Sequence, residues 1–293
     1  MRAEPFVIDA HQHFWNPHRV SYSWLGPDLA PINRVIEFDE LAPILARHGI
    51  GGTVLVQSAD NDEDTDYMLA VAAEHPQILA VVGYVPLERP DQAAARLHQL
   101  RANEAVVGIR SLIHNQPDPD WLLRPEVDRG LSVLEAADVS MDIVSVLPRH
   151  LEHVPAIADR HPALRLVIDH LSKPPIKSPD WEPWKTLITK AARQPNVYAK
   201  LSGLYPAQGD PEDWTAADVE PYVQFALELF GPQRLMYGGD WPISMLSGGY
   251  DKVWKELSTI FGQLSDAERT AVLSETAIAF YRIPDARLQA VRS

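Results

Sequence analysis

The chain has 293 residues, 46% hydrophobic and 23% charged, an ordinary globular composition that excludes wholesale disorder. Its formal charge of −14, from 26 basic and 40 acidic residues, repels nucleic acid, and no Lys/Arg stripe interleaved with aromatics overrides that field. The expected partner is therefore a small neutral molecule, with a homo-oligomer left open. There is no cysteine, which removes disulfides, thiolate metal sites and cysteine nucleophiles together. No apolar run approaches the ~20 residues needed to cross a bilayer, so no membrane association is expected. The opening segment also lacks the basic and then long apolar stretch of a secretory leader, and a cytoplasmic location is the expectation.

In chain order, a short apolar, β-branched run is followed by a turn and then by an amphipathic stretch closing on Gly or Pro, and this cycle occurs eight times. Strands are expected at 6–11, 53–57, 80–84, 106–112, 140–146, 165–170, 197–201 and 234–239. Helices are expected at 39–48, 64–74, 91–102, 126–137, 151–160, 181–193, 217–230 and 251–263, with Asp39 or Asn61 as candidate caps. Ser265 with Glu268 three residues on reads as a capping box opening a last helix through Tyr281, expected to lie across the outside of the fold. This unbroken rhythm, with no second zone of composition over residues 1–293, predicts a single (β/α)₈ barrel of TIM type with an extra C-terminal helix.

In such a barrel chemistry belongs to the C-terminal ends of the strands. His11 and His13 close the first strand, and alternation along a strand sends both imidazoles to the same side. Two neutral imidazoles there suit a divalent metal such as zinc or a substrate oxygen, although a purely structural pair would look the same. His170 ends the sixth strand and Asp240 the eighth. The alternation rule turns His170 toward the mouth and Asp169 away from it. Either residue alone is weak, a half-buried histidine or a carboxylate binding turn amides, and the conjunction with the first strand is what is specific. Arg110, ending the fourth strand, aims a cation at substrate or braces the barrel through an ion pair. His114, Arg149 and His150 are loop residues placed to touch substrate. Gln57, Lys173, Lys200, Trp15 and Trp24 lie at expected strand ends or in the long first loop, where they are candidates to touch substrate, the tryptophans through their ring faces.

Five segments carry a resemblance: Ile8-Asp9-Ala10-His11-Gln12-His13-Phe14-Trp15, Val107-Gly108-Ile109-Arg110, Val167 through Pro174, Lys200-Leu201-Ser202-Gly203-Leu204, and Met236 through Pro242. In this ordered combination the chain resembles the amidohydrolase superfamily, and within it the branch of L-fuconolactonase and L-rhamnonolactonase-like sugar lactone hydrolases. Ser172-Lys173-Pro174 replaces that group's usual Gly-Lys-Pro, and Gly238-Gly239-Asp240 its frequent Gly-Ser-Asp, without loss of a functional side chain. The resemblance implies a lactonase in which Asp240 takes the proton from the attacking water. His11, His13 and His170 would hold a metal or polarise the carbonyl, and His170 and Arg110 would serve the reaction. Many members carry a carboxylated lysine at strand 4 and a histidine at strand 5. Arg110 and the histidine-free strand 5 make a binuclear centre unexpected. The implied cofactor is one weakly held or dispensable divalent ion, zinc, on His11, His13, His170 and Asp240. Two other readings stand beside this one: a metal-dependent decarboxylase of aromatic acids from the same superfamily, and a catalytically silent binding barrel.

Overall fold

The computed structural model describes residues 6–206 and 210–292, so the first five residues of the opening segment fall outside it. Eight parallel strands run in the order β1 to β8: Val7–Gln12, Ile50–Val56, Ile78–Gly83, Val106–Ser111, Ser140–Ile143, Leu166–Ile168, Val197–Leu201 and Leu235–Tyr237. The seam between β8 and β1 is drawn together just past the strand end. Asp240 N–H donates to the His11 carbonyl at 2.8 Å, and His13 N–H donates to the Trp241 carbonyl at 2.7 Å. The (β/α)₈ barrel read from the rhythm of the sequence is the observed fold.

Helices α1 to α8 follow their strands at Phe38–Arg47, Asp62–Glu74, Pro90–Leu100, Pro125–Ala136, Pro148–Arg160, Trp184–Ala192, Ala216–Phe230 and Tyr250–Phe261. Three of them, α3, α4 and α5, begin on proline, whose fixed φ suits the first turn and whose missing N–H has no partner there anyway. Asn61 caps α2 by accepting from Asp64 N–H at 2.8 Å. Asp39 does not cap α1: it lies within the first turn, where its charge faces the positive end of the helix.

Strand ends fall short of expectation most at β5, which stops at Ile143, and by two residues each at β6 and β8. The sixth strand stops at Ile168, because the backbone turns left-handed at His170 and cannot continue the ladder.

The C-terminal segment also departs from expectation. The Ser265/Glu268 capping box is present and opens α9 (Asp266–Thr270), which runs through one π turn into α10 (Thr276–Tyr281). Rather than lying outside the barrel, this segment closes its N-terminal opening. Ala277, Phe280, Tyr281, Ile283 and Leu288 cluster with strand residues such as Ile8, Val54, Ala80, Val82 and Met236. A further helix, α11 (Asp285–Arg292), sends Arg287 to the carbonyls of Ile78 and Leu79 at the start of β3, at 2.8 and 2.9 Å. The physical reason is exposed apolar surface: strand residues aimed into the lower half of a barrel need a lid, and the apolar face of α10 supplies one. No helix among the described residues is long and apolar enough to cross a membrane.

Candidate active site

The polar groups collect at the opposite, C-terminal mouth. Asp9, buried in β1, accepts from the backbone N–H of His11 at 2.9 Å and of Gly239 at 2.8 Å, and from Tyr250 Oη at 2.8 Å. One carboxylate thus ties the end of β1 to the turn after β8. Burial nonetheless pushes its pKa up to about 6. That tie sets His11 and His13 opposite Asp240. Asp240 Oδ1 lies 3.8 Å from His11 Nε2, 3.8 Å from His13 Nε2 and 3.9 Å from His170 Nε2. Its other oxygen, Oδ2, accepts from Tyr205 Oη at 2.6 Å. Oδ1 is left to face the three rings.

Backbone strain helps to make this geometry. His170, Leu171, Ser172 and Lys173 all have φ between 48° and 58°, and Asp240 has φ 53°. Each such residue costs of order 1 kcal/mol or more, and the surroundings have to hold it. Lys173 N–H bonds to the His170 carbonyl at 2.9 Å, Trp184 Nε1 to the Leu171 carbonyl at 2.7 Å, and Ser145 Oγ to Ser172 Oγ at 2.7 Å. Gly203, with φ +56°, passes close beneath: a Cβ there would stand 2.6 Å from His170 Nδ1 and 2.9 Å from Asp240 Oδ2. Only glycine permits that approach.

Burial and then the nearby Lys200 charge push the His11 pKa down to about 3, and burial holds His13 and His170 well below the usual imidazole range. The three rings are therefore neutral near pH 7. Burial raises the Asp240 carboxyl, while Lys173 and the Tyr205 hydrogen bond act the other way and favour the carboxylate.

A cavity of about 180 Å³ opens over this group, lined by His13, His170, Asp240, Arg110, Lys173 and His114 together with Trp15, Trp24, Leu112, Val144 and Ile243. Trp24 is held edge-on to Trp15 at 5.1 Å and donates from Nε1 to the Ser58 carbonyl at 2.7 Å, so its ring forms a fixed wall. Arg110 fills both roles considered for it. It pairs with Asp169 Oδ2 at 3.1 Å and donates to the Gln57 carbonyl, yet it also borders the cavity.

Gln57, Arg149, His150 and Lys200 lie off the cavity lining. Gln57 is fully buried, and its amide donates to Asp60 Oδ1 and the Arg110 carbonyl, both at 3.0 Å, so it braces β2 against β4. Arg149 lies on the exposed start of α5, paired with Asp120 at 2.6 Å and Glu152 at 2.7 Å, because Pro148 begins the helix there and turns the side chain outward. His150 is buried in the same first turn and does not line the cavity. Lys200 has no exposure: it lies beneath His11, its Nζ 3.0 Å from His11 Nδ1, 2.5 Å from Asp142 Oδ2 and 3.0 Å from Asp169 Oδ1.

Asp169 is a correction as well. It points into the barrel, with Oδ1 3.3 Å from His11 Nδ1, because strand alternation no longer applies once β6 has ended. Burial would raise its pKa, but Lys200 and His11 hold it well below the usual carboxylate range. Asp142, Ser202 and Tyr205 were not singled out from sequence. Ser202 Oγ meets His170 Nδ1 at 2.8 Å. A lone charge inside an apolar strand, such as Asp142 in β5 or Lys200 in β7, requires a buried partner of opposite sign, and that signal could have paired them. Tyr205 carries no such mark.

The ligand atoms of His11, His170 and Asp240 lie within 4.8 Å of one another, and His13 Nε2 is 3.1 Å from His11 Nε2. Zinc takes imidazole nitrogen and carboxylate oxygen at ~2.0–2.2 Å, so atoms nearly 4 Å apart can share one ion, and the donor set fits a single divalent cation.

Known proteins support this picture. The family model described as Amidohydrolase matches residues 8–283. An L-fucono-1,5-lactonase of Burkholderia ambifaria is 39% identical over 95% of the chain and 96% of its own length. A second L-fucono-1,5-lactonase, of Burkholderia multivorans, is 34% identical over 96% of the chain and 98% of its own. A crystal structure of an amidohydrolase from Burkholderia multivorans with bound zinc superposes with a TM-score of 0.86 at 33% identity, covering 95% of the chain and 100% of the other.

Proposed function

The chain belongs to the amidohydrolase family, and from that premise we propose that it hydrolyses a sugar aldonolactone, such as L-fucono-1,5-lactone or L-rhamnonolactone, to the open aldonic acid. The observation that carries the reading is the single carboxylate oxygen, Asp240 Oδ1, set 3.8 to 3.9 Å from three neutral imidazoles at the floor of a cavity. A water beside Oδ1 attacks the lactone carbonyl carbon and gives its proton to Asp240. The carbonyl oxygen becomes an oxyanion, which His170 and Arg110, preorganised around the cavity, stabilise. The ring C–O bond then breaks, and the departing ring oxygen takes the proton back from Asp240. Lactone and water are thereby converted to hydroxy acid with nothing left over.

Trp24, backed by the fully buried Trp15, offers an aromatic face to the sugar, while Lys173 and His114 stand at the rim within reach of its hydroxyls. A zinc ion, where bound, would be held by His11, His170 and Asp240 with His13 beside them, and would supply Lewis-acid polarisation and a more acidic water. A place in cytoplasmic carbohydrate breakdown is part of the same reading.

The test is a panel of L-fucono-, L-rhamnono- and L-galactonolactone with their D-counterparts, read by acid release with a pH indicator. At least one L-sugar lactone is expected to open far faster than in buffer. No acceleration on any member overturns the proposal. Repeating the assay after chelation separates the decarboxylase alternative, which requires a tightly held metal.

A further inference from the structure

Between the C-terminal lid and the imidazole cluster, a column of charged groups runs through the barrel. Tyr281 Oη donates to Asp142 Oδ2 at 2.7 Å, and Lys200 Nζ donates to the same oxygen at 2.5 Å. The Lys200 ammonium also lies 3.0 Å from His11 Nδ1. All of these side chains are buried.

An ammonium has three donors and no acceptor, so His11 Nδ1 must offer its lone pair, and the proton of this neutral ring sits on Nε2. The other end of the chain of contacts agrees. His13 Nδ1 is 2.7 Å from the Val56 carbonyl, which can only accept, so His13 carries its proton on Nδ1 and leaves Nε2 bare. His11 Nε2, 3.1 Å from that bare nitrogen, is then the donor. Assigned from what each partner can donate or accept, the three contacts agree on one direction, from Lys200 to His11 to His13 to Val56.

This arrangement bears on metal binding. A divalent ion takes imidazole through a bare nitrogen, and the usual partner behind such a ring is a carboxylate or carbonyl that accepts its outer N–H. With the protons assigned in this way, the cavity-side nitrogen of His11 holds a proton and that of His13 receives it, so an ion can enter the donor set only after His11 turns its proton to Nδ1, facing Asp169. Asp169 Oδ1, 3.3 Å from His11 Nδ1, stands where the usual acceptor would, but Lys200 is nearer.

We propose that Lys200 is a positioning residue that holds His11 as the Nε2–H tautomer and thereby keeps the affinity of the His11, His13, His170 and Asp240 group for a divalent cation low. Its bearing on lactone opening rests on the activity proposed above, whereas the tautomer and the affinity do not.

Nitrogen NMR of the metal-free protein, labelled at histidine, tests the tautomer directly, with the His11 signals assigned by their loss in His11→Asn. A protonated Nε2 and a bare Nδ1 are expected. A proton on Nδ1, turned to Asp169, overturns the proposal. Zinc affinity by chelator competition is the second arm: Lys200→Met should bind zinc ~10- to 100-fold more tightly than wild type, the usual reach of groups behind ligand imidazoles. Equal or weaker binding overturns it. Because Lys200→Met strands two buried carboxylates and endangers folding, Lys200→Met/Asp142→Asn is measured in parallel with the same expectation. Wild-type protein that opens no lactone on the panel yet shows the Nε2–H signal faults the lactonase reading and supports the role of Lys200.

Discussion

The two ends of the barrel are built to opposite rules. At the N-terminal end, apolar strand residues meet the apolar face of α10 and α11, and the left-handed residues there, Asp138 and Arg282, sit at or just past the end of a helix. At the C-terminal end, histidines, carboxylates and Arg110 are buried together, and His170 through Lys173, Asp240 and Gly203 all hold left-handed φ values. One end supplies stability, and the other concentrates strain and desolvated polar groups around a cavity. Substitutions at the two ends should therefore separate turnover from stability.

The largest effect on turnover is expected from Asp240→Asn, which keeps shape and removes the base: kcat/KM for lactone should fall at least ~10²-fold, with a thermal midpoint close to wild type. A rate near wild type would break the comparison at its upper end. Phe280→Ala addresses the lower end. This fully packed ring, 4.8 Å from those of Tyr198 and Tyr281, should cost ~3–5 kcal/mol in denaturant unfolding and leave the rate per folded molecule close to wild type. A loss of rate without a loss of stability would show that the lid serves the chemistry.

The smallest effect is a shift in pH profile. Burial raises the Asp240 carboxyl and the Tyr205 hydrogen bond lowers it, so activity should be lost as pH falls through a value above the ordinary 3.8. Tyr205→Phe removes a bond that favours the carboxylate, and the acid limb should move to higher pH. A limb that stays in place would separate Tyr205 from the base.

What the sequence made legible follows from how each signal arises. Eight βα cycles and the histidine pair of β1 are local patterns, and both were readable. His170 and Asp240 could be named because strand ends of a barrel share one rim. The inward turn of Asp169 was not readable, since it depends on β6 ending at Ile168 and on the left-handed run after it. Lys200 looked like a rim residue because it ends a strand, but β7 places it one layer deeper, between Asp142 and Asp169. Tyr205 follows β7 in an irregular loop whose course no periodicity encodes. The C-terminal helices were legible as helices, but the face they cover depends on the lower opening of the barrel, which exists only after closure.

The most direct test of the chemistry at the mouth is a crystal structure of Asp240→Asn protein soaked with L-fucono-1,5-lactone. The expected result places the lactone carbonyl against the imidazole cluster, its carbon ~3–3.5 Å from a water held by the residue 240 side chain. Lactone seated away from these rings, or with its carbonyl turned to solvent, would contradict the assignment of this rim as the place where the ester bond is opened.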